Sequence, residues 1–145
     1  MPKDTLTQAD EQQIIAAIQE AEINTSGEIR VHIESTCEMD VLDRATEMFA
    51  QLNMHQTKLR NGVLFYLALD DHQFAVIGDA GINAIVPDNF WEEITAAAIR
   101  HFKEKKYAEG LATGIRMAGE QLKKHFPYNA QGDINELSDD ISFGE

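Results

Sequence analysis

Three short polar turns carry the residues best suited to hold a hard cation: "TSGE" at 25 to 28, "RNG" at 60 to 62 and "GDAGIN" at 78 to 83. Glu28, Asn61 and Asp79 offer carboxylate and amide oxygens, the donors that calcium and magnesium take, and the glycine turns add backbone carbonyls. A structural reading of the same residues stands beside it. Gly78 and Gly81 would serve backbone geometry, Asn61 would make a turn, and Glu28 would pair with Arg30 or Arg60. A rival acidic group, Glu34, Ser35 and Thr36 with Asp70 and Asp71, belongs to the opposite ends of the strands. Open α/β sheets usually bind ligands outside the carboxyl ends of parallel strands, while Asp is also a routine turn residue. Asp133, Glu136, Asp139 and Asp140 are read as solvated tail carboxylates in preference to ligands.

Nucleophilic and zinc chemistry find little support. The spacing of Cys37 and Arg44 does not match the cysteine-phosphatase loop, and GxxxxGK[ST] is absent. His32, His55, His72, His101 and His125 are scattered, with no HExxH pattern. What remains for catalysis is metal-assisted phosphoester hydrolysis, with Arg30 or Arg60 to grip phosphate. A non-enzymatic cation-binding module is the preferred class, and a weak metal-dependent acid phosphatase is the alternative.

Composition narrows the partners. Twelve Lys and Arg against 25 Asp and Glu leave a formal charge of −13, which repels phosphate backbones, so nucleic acid is not expected. The N-terminal "MPKDTLTQADEQQ" lacks the apolar core of a secretory signal, and no stretch approaches a spanning length, so a cytoplasmic protein without membrane insertion is expected. An unidentified protein partner stays open. The lone Cys37 is read as a packing or surface residue.

The elements that must position these residues follow from periodicity. Thr7 caps a helix with Ile14, Ile15 and Ile18 on one face, and "EIRVHIE" alternates as a strand with a wetter side, suited to a sheet edge. Asp40 caps a second helix with the stripe Val41, Leu42, Ala45, Met48, Phe49 and Leu52. "VLFYLAL" is apolar at both parities and predicts a strand covered on both faces, and "DDHQ" turns it into an antiparallel "FAVIG". Asp88 caps a helix burying Phe90, Trp91, Ile94, Ala98 and Phe102. A last helix aligns Leu111, Ile115, Ala118, Leu122 and Phe126, with Gly114 and Gly119 permitting close contact. The order predicts a three-layer α/β/α sandwich over residues 1–127 around a small mixed sheet, followed by an acidic irregular tail over 128–145. A right-handed crossover joins the first two strands in parallel, so the three polar turns converge at one end.

"TSGEIRVH", "LRNGVL", "AVIGDAGIN" and "FW", in this order, resemble the TPM domain of thylakoid-lumen, photosystem-repair and acetylcholine-receptor-modulating proteins, and most nearly a stand-alone bacterial branch. The resemblance implies a reduced Rossmann-like fold, divalent-cation binding at acidic residues as in some members, and the acid phosphatase activity attributed to a plant member. Many relatives add a leading signal or a following membrane helix, neither of which is seen here.

Overall fold

The computed structural model describes residues 6–23, 25–87, 89–127 and 139–144. Helix α1 spans Gln8–Glu22. It opens on a reciprocal box in which Thr7 and Asp10 each accept the other's backbone amide at 3.0 Å. Strand β1 (Glu28–Glu34) follows, then α2 (Val41–Gln51), whose first amides at Leu42 and Asp43 bond the Asp40 carboxylate. A 3₁₀ turn at Met54–Gln56 leads to β2 (Gly62–Ala68) and β3 (Gln73–Gly78). Short α3 (Ala80–Asn83), α4 (Phe90–Phe102), α5 (Tyr107–His125) and β4 (Ser142–Phe143) complete the described elements. Asp88, expected to cap α4, lies outside the described residues; Asn89 stands at the cap position and makes no side-chain cap bond.

The four strands run in the order β3-β2-β1-β4. β1 and β2 pair in parallel from Glu28 opposite Gly62 to Glu34 opposite Ala68, and β3 returns antiparallel to β2. Every residue of β2 is buried, as its two-parity apolar run requires. Val63, Phe65 and Leu67 join Ile29, Val31 and Ile33 in the main core with Ile14, Ile18, Ile94, Leu111 and Ile115. Leu64, Tyr66 and Ala68 face the other way, onto Ala45, Met48 and Phe49 of α2. The result is a mixed sheet between two helical layers.

Three expectations change. β1 is not an edge strand, because β4 pairs in parallel along its free side, with His32 opposite Ser142 and Ile33 opposite Phe143. Arg44 of α2, Tyr66 of β2 and Ser142 of β4 reach the wetter side of β1, where His32 and Glu34 are buried. The tail expected to be irregular therefore contains a strand at 142–143. Leu42, assigned to the buried stripe of α2, is 56% exposed, because Ala45, Met48 and Phe49 already fill the face toward β2. Among the described residues no helix is long and apolar enough to cross a membrane.

Gly119 of α5 meets α1 closely: a Cβ there would lie 2.6 Å from Ala21 Cβ and 2.9 Å from Ala21 Cα. Gly114 instead makes room for the ring of Phe65 on β2, 3.0 Å from the same construction. Alanine at 119 gains about 1 kcal/mol of helix propensity but overpacks a backbone contact that costs about 1 to 3 kcal/mol. Gly119→Ala is accordingly expected to lower the urea midpoint in an equilibrium melt. A raised midpoint would show that the helices have slack at this crossing.

Candidate functional site

The three polar turns do converge, and backbone bonds tie them together. Glu28 N donates to Asn61 O at 3.3 Å, Asp79 N to Gly62 O at 2.9 Å and Gly81 N to Arg60 O at 2.9 Å. Glu28, Asn61 and Asp79 are all buried there, at 3%, 1% and 6% exposure.

Asp79 is heavily engaged. Arg60 donates from Nε to Oδ2 and from Nη2 to Oδ1, each at 2.7 Å, and Ala80 N donates to Oδ1 at 2.7 Å. Burial pushes the Asp79 carboxyl upward, but the guanidinium and the amide outweigh it and hold the group below its ordinary range. Arg60 adopts a left-handed backbone at φ 51° to reach this fork. Gly81 fits under the same loop: a Cβ there would come within 2.2 Å of Leu59 O and 2.7 Å of Arg60 O. Asp79 thus caps α3 and clamps the 59–60 turn, and Arg60, one of the two arginines expected to pair with Glu28, is engaged by Asp79. Asn61 presents a different picture. Its Nδ2 reaches Ser26 Oγ at 3.4 Å, while its buried Oδ1 has no hydrogen-bond partner.

Glu22, at the end of α1, was not among the expected site residues. Its Oε2 accepts the amide of Ile29 at 2.9 Å at the start of β1. Burial above all, then a hydrogen bond to the Asp139 carboxyl and the charges of Asp139 and Glu28, raise the Glu22 carboxyl far above its ordinary range, so Glu22 keeps its proton. The tail carboxylate Asp139 therefore folds back to this end of the sheet, while Asp133 and Glu136 lie outside the described residues. A carboxylate at a helix C-terminus gives no periodic signal, and its neighbour lies 117 positions away in sequence. Thr25 fixes the approach: its hydroxyl bonds Leu122 O at 3.0 Å and Phe126 O, clipping the turn to the end of α5.

The opposite end of β1 is a closed polar network. Glu34 accepts Arg44 Nε and Nη2, each at 2.8 Å, the Tyr66 hydroxyl, and His32 Nε2 at 3.1 Å. Burial raises the Glu34 carboxyl, but these donors win and bring it down to about 2. Burial likewise lowers the affinity of His32 for a proton, only partly offset by Glu34, and raises the Tyr66 phenol well above its ordinary range. Asp71 accepts Cys37 N at 2.7 Å and Asp70 N donates to Ser35 O at 2.8 Å, so this edge is knitted by its own turns. Among the described residues, no three His, Cys, Asp or Glu side chains are gathered as a ready metal ligand set.

A family model described as the TPM domain matches residues 2–121. The chain is similar to the BA42 protein of the psychrophilic bacterium Bizionia argentinensis, at 49% identity and a TM-score of 0.89, covering 96% of this chain and 95% of that one. The N-terminal domain of the cg2496 protein of Corynebacterium glutamicum shares the fold at 16% identity and a TM-score of 0.65, covering 81% of this chain and 74% of that one. An N-terminal domain from P. gingivalis does so at 24% identity and a TM-score of 0.67, over 86% and 83%. No curated protein matches.

The Glu34 network sets an acid limit on the fold. Its folded value of about 2 lies below the ordinary 4.5, so the stabilisation is complete above pH 4.5 and is lost as pH falls toward 2. A shift of that size corresponds to about 3 kcal/mol. Glu34→Gln, measured by urea unfolding from neutral to acid pH, is expected to be destabilised at neutrality and to lose that acid dependence. An unchanged acid slope would mean that other carboxylates set it.

Proposed function

The chain belongs to the TPM domain family, and on that premise we propose that it is a divalent-cation-binding accessory module. The cation would draw Glu22, Glu28 and Asp139 together beside Asn61 at the entry to β1. One observation supports this reading: burial, the hydrogen bond to Asp139 and the charges of Asp139 and Glu28 hold the proton on the Glu22 carboxyl. A hard cation taking that proton's place turns the repulsion into attraction. The buried amide oxygen of Asn61, with no hydrogen-bond partner, adds a neutral ligand of the right type. Calcium suits such a flexible oxygen set better than magnesium, which keeps its waters and demands near-octahedral geometry. When bound, the cation supplies charge compensation and draws α1, β1 and the tail together. Asp79 serves as the organiser of the adjoining turn, because both of its buried carboxylate oxygens are already taken by Arg60 and the Ala80 amide.

Affinity follows from the assembly. The ligands come from separate segments and must be drawn together, so binding is expected at a Kd on the order of 10⁻⁴ to 10⁻³ M, near the loose end of calcium modules. Only the folded chain presents the site, so calcium at a hundredfold excess over Kd adds roughly 2.7 kcal/mol to stability.

Calcium-titrated amide spectra and paired thermal melts test this. Shifts are expected at residues 22 to 29, 61 and 139 to 140. Glu28→Gln is expected to abolish most of the calcium-dependent gain. Asp79→Asn is expected to lower stability with and without calcium but keep the gain, and Asp71→Asn to leave it intact. A gain that survives Glu28→Gln and disappears in Asp79→Asn would move the cation to the 79–83 turn. A flat titration would sink the reading.

A further inference from the structure

His32 is buried under α2 with its ring stacked on Tyr66, the centroids 5.9 Å apart, and both of its nitrogens are engaged. Nδ1 lies 2.8 Å from Ser142 Oγ and Nε2 lies 3.1 Å from Glu34 Oε1. An ionised carboxylate can only accept, so Nε2 carries the ring proton. Nδ1 of the neutral imidazole is then the acceptor, and the Ser142 hydroxyl donates to it. A hydroxyl, its base and the carboxylate that fixes the base's tautomer stand in line.

Three surrounding features fit chemistry at that hydroxyl. Ser142 is half-buried on the outermost strand, so a reactant can approach along the open edge. Gly144 N donates to Ile33 O at 2.8 Å, and in a parallel ladder this turns the intervening Phe143 amide away from β1, toward that edge. Arg30 stands two residues before His32 on the same face of β1. Its Nε is buried without a hydrogen-bond partner. Gly144 lets the tail seat itself: a Cβ there would lie 2.6 Å from Glu34 Oε1 and 3.1 Å from His32 Nε2.

We propose that Ser142, His32 and Glu34 form a nucleophilic relay at the open sheet edge that hydrolyses carboxylic esters, with the Arg30 guanidinium stabilising the oxyanion. Ser142 Oγ attacks the ester carbonyl carbon as its proton passes to His32 Nδ1. The carbonyl electron pair moves onto oxygen, and Nε2–H remains on Glu34. Collapse breaks the bond to the alkoxy oxygen, which leaves as the alcohol with the proton from Nδ1. Water then attacks the acyl-serine, gives its proton to Nδ1 and releases the carboxylic acid as Ser142 is reprotonated. None of the proposed cation ligands takes part, so the two readings stand or fall separately.

The whole protein is treated with a fluorophosphonate probe and the adduct is mapped by peptide mass, with p-nitrophenyl acetate hydrolysis followed in parallel. A single phosphonylated residue, Ser142, is expected. Ser142→Ala should remove both the adduct and the ester turnover, and Ser35→Ala neither. Arg30→Gln should slow both by about a hundredfold, the usual cost of losing an oxyanion donor. Ser142→Cys supplies a check on the base: its thiol should react with iodoacetamide faster than Cys37, and that advantage should vanish when His32→Gln is added. Circular dichroism confirms the fold of each variant. No adduct at Ser142 in the folded wild type, or turnover that survives Ser142→Ala, overturns the relay. Equal rates in Arg30→Gln overturn the role of Arg30.

Discussion

A carboxylate sealed beneath a helix is the constraint around which this sheet is arranged. Removing an ionised group from water costs several kcal/mol, and the cost is recovered only when its lone pairs are met by well-placed donors. Glu34 is met by Arg44 from α2, Tyr66 from β2 and His32 from its own strand. His32 in turn is held by Ser142 of β4. One residue therefore sets the roof over the polar side of β1, the neighbour on one flank and the strand on the other. An apolar residue at 34 would remove the need for all of them.

The two ends of the sheet handle negative charge in opposite ways. At the carboxyl ends of β1 and β2, Glu34 is matched by cationic and neutral donors and titrates low. At the entry to β1, Glu22 is set against other carboxylates and titrates high. Asp79 at the same entry is matched like Glu34, by a guanidinium and a helix amide, and serves the turn. The distinction separates an acid that holds structure from one held in reserve. Glu22, set against other carboxylates, keeps its proton, while the forked Arg60–Asp79 pair keeps its carboxylate ionised.

Much of the architecture was legible because it rests on period and order. The double-sided burial of "VLFYLAL", the parallel crossover from β1, the hairpin reversal at "DDHQ" and the meeting of three turns all follow from patterns within a few tens of residues. The alternation of "EIRVHIE" was legible too, but its meaning was not. Polar residues on a strand face normally signal water, and here they signal a buried network whose donors come from Arg44 and Ser142. Glu22 and Asp139 were illegible as a pair for the same reason. Hydrogen bonds between distant side chains leave no periodic trace, and a tail read by composition alone looks solvated. Asp79 was visible as a residue with a role beyond packing, and its partner could be known only once Arg60 took a left-handed backbone.

The joining of β4 to β1 has a temporal side. Arg44 reaches Glu34 across 10 positions and Tyr66 across 32, whereas Ser142 reaches His32 across 110. Closing a longer loop sacrifices more chain entropy before any contact compensates, so chain entropy favours docking the tail strand onto a sheet already formed. With just two residues in its ladder, it is also the first strand to let go. Whenever β4 is undocked, the remaining three strands leave His32 along an uncovered edge.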